Sequence, residues 1–180
     1  LKTLFSVDYI ACEDTRNTGQ LLALLQQKFT LINQLIEVRK PKLISFYDEV
    51  EEQKIPEIIA LLKQGQSVAL VSDAGTPLIS DPGYKLIRAC IKRNISITSL
   101  PGASSVLAAL TLSGLPTNQF IFLGYPPPTS AKRKKLFQSL LSCIDTSEHI
   151  HPTVALFESP HRIEETVKDL QTVFGDIEIV

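Results

Sequence analysis

The sequence predicts an α/β fold with a largely parallel sheet in its first domain. Short apolar runs that end in turn residues alternate with segments whose apolar residues recur at helical spacing, and this alternation is typical of β-α-β units. The chain has 180 residues, of which 44% are hydrophobic. It is therefore long and apolar enough to bury a core in one domain or one and a half.

The first half of the chain predicts strands and helices in alternation. Each expected strand is a short apolar run, and each expected helix carries leucine or isoleucine residues on one face. Pro56 fits the second helix only in its first turn, where a missing N–H costs nothing. The expected strands are 8–12, 42–47 and 67–72, and the expected helices are about 18–28, 51–64 and 84–93.

The second half continues the same alternation. Segment 94–100 alternates apolar and polar residues as a half-buried strand does, and Gly114 and Gly175 stand where helices commonly end. The expected strands are 94–100, 119–125, 153–157 and 177–180, and the expected helices are 103–114, 131–142 and 160–174.

A cluster of three prolines and a glycine at 124–128 is the strongest linker signal. It predicts a boundary between an N-terminal α/β domain, 1–124, and a C-terminal α/β domain, 125–180. The chain has no methionine and stops directly after a strand-like stretch, so we interpret it as a fragment missing both ends.

The charge balance excludes a general affinity for polyanions. A net charge of -1 and a pI near 6.3 give no overall attraction to nucleic acid or anionic lipid. A polyanionic partner would have to meet a local basic patch. Such a patch, or simply a solvated helix face, is formed by Lys132, Arg133, Lys134 and Lys135.

The cysteines predict neither a disulfide framework nor a metal site. Cys12, Cys90 and Cys143 lie far apart without a C-x-x-C pair, and His149 and His151 fit surface positions better than ligand positions. Free thiols suit a reducing cytosol, and no apolar run approaches the roughly 18 residues of a membrane span. We therefore expect a cytoplasmic protein without a metal.

Turns that follow strands are the candidate sites, because open α/β sheets bind ligands beyond the carboxyl ends of their strands. The turn SDAGTP, 72–77, matches neither glycine spacing of the nucleotide-binding loops. Asp73 and Asp81, with backbone freed by Gly75 and Gly83, suit a ligand with hydroxyls and a positive charge. S-adenosylmethionine has both, although ordinary turn capping explains these residues equally well.

Three further turns, 13–18, 100–105 and 157–162, also follow expected strands. Each has a structural interpretation. The first fits a solvated turn with an Asp14–Arg16 pair, and the second is by itself more typical of close packing. The third fits a helix start with Ser159 as N-cap and Pro160 in the first position, beside a local pair of Glu158 and Arg162.

Five motifs extend over nearly the whole chain: EDTR (13–16), LVSDAGTPLISDPGY (70–84), LPGASSVLAAL (100–110), GLP (114–116) and FESPHR (157–162). Together they resemble the tetrapyrrole methylase superfamily, and within it the branch that methylates small-subunit ribosomal RNA. The resemblance implies two α/β domains, S-adenosylmethionine in the cleft between them, a homodimer, and 2′-O-methylation of a cytidine ribose in 16S ribosomal RNA. It also implies a strand with a glycine-containing loop before Leu1 and further strands after Val180.

The resemblance carries cofactor contacts onto three segments. One wall of the cofactor site would be formed by Asp73, Ala74, Gly75, Thr76 and Pro77. The second wall would be formed by Pro101, Gly102, Ala103, Ser104 and Ser105. The second domain would contribute Leu156, Phe157 and Glu158.

Glu158 and His161 are the candidates for orienting the ribose or accepting its proton. Glu158 follows an apolar strand, so we expect burial to raise its pKa. Arg16, Arg162 and the basic cluster at 132–135 are the candidates for RNA phosphates.

Two other functions fit the same residues. One is a methyltransferase of the same superfamily that acts on a tetrapyrrole or another small substrate, and the other is a non-catalytic RNA-binding module. The basic cluster and SDAGTPLISDPG (72–83) favour the RNA methyltransferase. Titration with S-adenosylmethionine distinguishes a methyltransferase, which binds this cofactor, from a non-catalytic RNA-binding module, which does not.

Overall fold

The structure is a computed structural model that describes residues 2–32, 40–145 and 152–180. It forms two compact units, Leu1–Ala103 and Ser104–Val180. The predicted boundary after Gly124 falls inside the second unit, because strands on either side of the proline-rich stretch pair with each other.

The first unit is built on a parallel sheet of three strands in the order β2-β1-β3. The register is in phase: Tyr9 pairs with Lys42 and Val68, so the three carboxyl ends lie at one edge. This arrangement confirms the predicted parallel sheet. The strands are β1, Tyr9–Cys12; β2, Lys42–Ser45; and β3, Val68–Val71.

Helices in the first unit cover both faces of this sheet. Ile10 and Cys12 pack with Phe5 and Leu22 in one core cluster, whereas Ala11 packs with Ile58 in another. The side chains of β1 thus alternate between two buried layers, as expected for a parallel sheet. The helices are α1, Lys2–Ser6; α2, Thr15–Ile32; α3, Glu51–Lys63; and α4, Tyr84–Ile91.

The expectations for the first unit need three corrections. Helix α1 was not predicted, and Pro56 lies in the sixth position of α3 rather than in its first turn. The expected strand 94–100 does not form. Its alternating pattern is local, but a strand also needs a hydrogen-bonded neighbour, and none of the described strands pairs with this segment.

The second unit pairs two parallel strands and packs two helices together. Phe137 of α6 and Phe174 of α7 place their ring centroids 6.1 Å apart. The expected strand 177–180 does not form. The elements are α5, Ser105–Ser113; β4, Phe120–Phe122; α6, Ser130–Asp145; β5, Thr153–Ala155; and α7, Ile163–Phe174.

Gly83, which leads into α4, is required by both its backbone conformation and its surroundings. Its φ is +128°, and a Cβ there would lie 2.6 Å from Cδ2 of Leu70 and 3.1 Å from Cδ1 of Leu78. We expect Gly83→Ala to lower the free energy of unfolding by about 2–3 kcal/mol, because strain and overpacking add. Urea denaturation measures this loss.

The matched control for Gly83→Ala is Gly65→Ala. Gly65 has a φ of +81°, but a Cβ there would meet nothing within 4 Å. Gly65→Ala should therefore lower the free energy of unfolding only by the cost of backbone strain, about 1 kcal/mol. Equal losses in the two variants would show that the Leu70 contact is not the cause.

Candidate functional site

The turns after β1 and β3 meet at the carboxyl edge of the first sheet. Nδ2 of Asn17, in the first turn of α2, donates a hydrogen bond to Oδ2 of Asp73 at 2.7 Å. Both residues are exposed. Sequence reasoning missed Asn17, although it lies in the candidate turn 13–18, because the pairing of β1 with β3 was not known.

The loop that begins at Asp73 presents open backbone. Gly75 is exposed with a φ of +67°, and a Cβ there would meet nothing within 4 Å. Ala74 beside it is also exposed. Just before the loop, Oγ of Ser72 is buried and has no hydrogen-bond partner among the described residues. An exposed carboxylate and open glycine backbone therefore lie next to a buried hydroxyl without a partner in the described part of the chain.

One hydrogen bond joins the first two predicted walls of the cofactor site. Oγ1 of Thr76 donates to the carbonyl of Ala103 at 2.9 Å. Thr76 and Pro77 are half-buried, whereas Pro101 and Gly102 are exposed. The structure thus brings segments 73–77 and 101–103 together.

Ser104 and Ser105, predicted for the second wall, begin the second unit. Ser104 is the N-cap of α5, and its Oγ accepts a hydrogen bond from the Leu107 N–H at 3.4 Å. That hydroxyl therefore has a structural role in the helix.

Phe157 is held beside the end of β4 in the second unit. Its N–H donates to the carbonyl of Gly124 at 2.8 Å. Its ring lies edge-on to Phe122, with centroids 4.9 Å apart, and 5.4 Å from the ring of Tyr125. Leu156 beside it is half-buried.

The prediction that the pKa of Glu158 is raised is wrong. Its side chain is 1% exposed, and this burial acts to raise the pKa. However, hydrogen bonds from Thr166 Oγ1 at 2.6 Å, the Ser159 N–H at 2.8 Å and the Arg162 guanidinium outweigh burial, so the pKa lies below its ordinary value. The local pair of Glu158 and Arg162 is confirmed.

His161 lies in a turn before α7 rather than in the helix. Its N–H donates to Oγ of Ser159 at 3.2 Å, and the side chain is exposed. The alternative interpretation, with Ser159 as the N-cap and Pro160 in the first helical position, does not hold, because α7 begins at Ile163 with Arg162 in the N-cap position.

Arg16 forms the predicted local pair with Asp14. Its Nη2 and Nε lie 2.7 Å and 3.1 Å from the carboxylate, and its N–H donates to the same group at 2.8 Å. These hydrogen bonds lower the pKa of Asp14 to about 2. The Arg16 side chain is still 85% exposed, so it remains accessible.

The basic cluster is not one surface. Lys132 and Lys135 are exposed, and the half-buried Lys134 lies 3.4 Å from Oδ1 of Asp169. The prediction that Arg133 contacts RNA is wrong. Its side chain is fully buried and ion-paired with Asp169 at 2.6 Å. A phosphate in solution cannot reach a guanidinium in that position.

The remaining candidates for a site are the cysteine thiols, a metal-binding cluster and a membrane-spanning helix. Desolvation raises the pKa of the buried Cys12 and Cys90 thiols. Within 2–32, 40–145 and 152–180, no group of three His, Cys, Asp or Glu residues is arranged to hold a metal ion, and no helix is long and apolar enough to span a bilayer. His149 and His151 lie outside the described residues.

Comparison with known proteins decides the family. A model of the family described as Tetrapyrrole (Corrin/Porphyrin) Methylases matches residues 1–180. The chain belongs to this family. Tetrapyrrole methylase membership confirms the resemblance drawn from the motifs and agrees with the observed α/β architecture.

Several relatives of this tetrapyrrole methylase chain are named "Ribosomal RNA small subunit methyltransferase I". The Synechocystis sp. protein is 42% identical over 175 residues, which are 97% of this chain and 56% of the relative. The Vibrio cholerae protein is 42% identical over 97% of this chain and 54% of the relative's own length. The Thermotoga maritima protein is 39% identical over 99% of this chain and 72% of the relative's own length. The chain thus spans about half the length of the first two relatives.

Proposed function

We propose that this chain belongs to an S-adenosylmethionine-dependent methyltransferase that 2′-O-methylates a cytidine ribose of 16S ribosomal RNA. The observation that carries the proposal is the Asp73–Pro77 loop, which exposes a carboxylate and open glycine backbone at the carboxyl edge of the sheet. The names of the relatives support the RNA substrate.

The residues of the loop fit this cofactor. Its ribose hydroxyls and cationic sulfonium need acceptors and negative charge, which Asp73 provides. The open backbone at Gly75 permits close approach. The unpartnered Ser72 hydroxyl is a further polar group beside the loop. The proposed cofactor contacts are 73–77 and 101–105 and, as the resemblance implies, Leu156, Phe157 and Glu158.

The bound cofactor would supply an activated methyl group. The chain's own residues would act mainly by holding the ribose hydroxyl in line, since alignment accounts for much of the rate of such transfers. Exposed His161 is the better candidate for accepting the hydroxyl proton. Glu158, with its lowered pKa, would instead orient Arg162.

RNA contacts are proposed for cations whose side chains are at least partly accessible. The exposed Arg16, Lys132 and Lys135 and the half-buried Lys134 and Arg162 are the candidates for phosphates, and a homodimer is the proposed assembly. Light scattering at several protein concentrations measures the assembly. A monomer under all conditions would reject the homodimer alone.

Calorimetric titration of the protein with S-adenosylmethionine tests the proposed function. We expect saturable binding, followed by transfer of labelled methyl groups to 16S RNA or to small subunits but not to porphyrin precursors. Absence of cofactor binding would reject the methyltransferase, and transfer to porphyrin precursors alone would reject the RNA substrate.

Charge reversal at Lys132 and Lys135 should weaken RNA binding. If both contact phosphates, the double change to glutamate should reduce the slope of log affinity against log salt by about 1.5. Filter binding between low and high salt measures the slope. Lys63→Glu with Lys92→Glu, which alters the net charge equally at exposed sites of the first unit, is the control. An equal reduction in both variants would contradict a local contact.

A further inference from the structure

Asn17 owes its position to the sheet and not to its neighbours in sequence. Strand β1 pairs in parallel with β3, and Cys12 at the end of β1 lies opposite Val71 at the end of β3. The chain therefore enters α2 and the Asp73 loop from adjacent points. Asn17 reaches Asp73 although 56 residues separate them in sequence.

The turn that carries Asn17 is locked from both sides. Asp14 accepts the Arg16 N–H through its side chain at 2.8 Å and the Thr18 N–H through its carbonyl at 3.0 Å. Thr18 is itself buried. The backbone on either side of Asn17 is therefore held in place, which fixes the point from which its side chain extends to Asp73.

The contact also fixes the roles of the two Asp73 oxygens. An ionised carboxylate only accepts hydrogen bonds, so the Asn17 amide must present its NH₂ group. Oδ2 of Asp73 takes that bond at 2.7 Å. No described residue donates a hydrogen bond to Oδ1, which is left for an external donor.

We infer that Asn17 is a positioning residue for the proposed methyl-donor site, holding Asp73 so that its second oxygen faces the ligand. The inference rests on the proposed function, because it assigns Asp73 to the cofactor. Asn17 itself need not touch the ligand. Its action through Asp73 predicts that the two residues are coupled.

Calorimetry with S-adenosylmethionine tests the inference in the intact protein. We expect Asn17→Ala to weaken binding about 3- to 10-fold, the value of one typical hydrogen bond. Asn17→Gln keeps the amide donor and should recover part of the loss. Gln20→Ala, an exposed change on the same helix, is the control and should bind as the wild type does.

A double-mutant cycle separates positioning from a general structural role. If Asn17 acts through Asp73, then Asn17→Ala should cause no further loss in the Asp73→Asn background. An unchanged affinity of Asn17→Ala, or the same loss in both backgrounds, would overturn the inference and leave the proposed function intact. A wild-type protein without affinity would instead overturn the proposed function, and the inference with it.

Discussion

Replacement of Arg133 by alanine is expected to lower the free energy of unfolding by about 3–5 kcal/mol, because it removes the buried cation that pairs with Oδ2 of the buried Asp169 carboxylate. Nε and Nη2 of Arg133 lie 2.7 Å and 2.6 Å from Oδ2 of Asp169. Nη1 donates to the carbonyls of Pro127 and Pro128 at 3.4 Å and 3.3 Å. This one side chain therefore ties α6 to α7 and to the proline-rich stretch.

Lys132→Ala is the matched control for Arg133→Ala. It removes a neighbouring cation whose side chain is exposed, so the expected loss is at most about 0.5 kcal/mol. Chemical denaturation of both variants gives the comparison. Similar small losses in both would contradict a structural role for Arg133, and a loss of RNA binding without a loss of stability would restore it to the RNA contacts.

The same ion pair makes a pH-dependent contribution. Burial acts to raise the pKa of Asp169, but hydrogen bonds from Ser130, Arg133 and Lys134 outweigh it, so the pKa lies below its ordinary value. Because the folded pKa is depressed, the stabilisation is present above about pH 4 and is lost as the pH falls through the folded value. Arg133→Ala should therefore flatten the dependence of stability on pH in the acid range, measured by denaturation from pH 7 to pH 2.

Asp73→Ala and Gly75→Val are expected to weaken S-adenosylmethionine binding about 10- to 100-fold. Asp73→Ala removes the carboxylate that the proposed site offers to hydroxyls and positive charge. Gly75→Val fills the open space beside the backbone and adds strain at a φ of +67°. Calorimetry on the intact protein measures both affinities.

Gly65→Val separates the loss of a site from the loss of the fold. Gly65 also has a positive φ and open surroundings, but it precedes β3 and so lies at the amino edge of the sheet. Its valine variant should lose similar stability and keep its affinity. Unchanged affinity in Asp73→Ala and Gly75→Val would reject the site.

Local sequence patterns predicted β1, β2, β3 and most helices. These elements are recognisable because the apolar residues of each strand or helix face the core within one short segment. Segment 94–100 has an equally good strand pattern but forms no strand. The difference is a hydrogen-bonding partner, which no local pattern contains.

The errors at Glu158 and Arg133 have the same origin. From sequence, Glu158 is an acid after an apolar strand, and only the fold shows that Thr166 and Arg162 hold its charged form. Arg133 stands in the basic run 132–135, and only the packing of α6 on α7 places it against Asp169 while its neighbours are exposed.

By itself, the sequence determined the fold class, the family and the motif SDAGTP (72–77), since alternation and motif spacing are written along the chain. Only the tertiary structure decided which side chains meet: Asn17 with Asp73, Thr76 with Ala103, and Arg133 with Asp169. The physical reason is that strand order and helix packing bring distant residues together, and these contacts set the charge, burial and availability of each group.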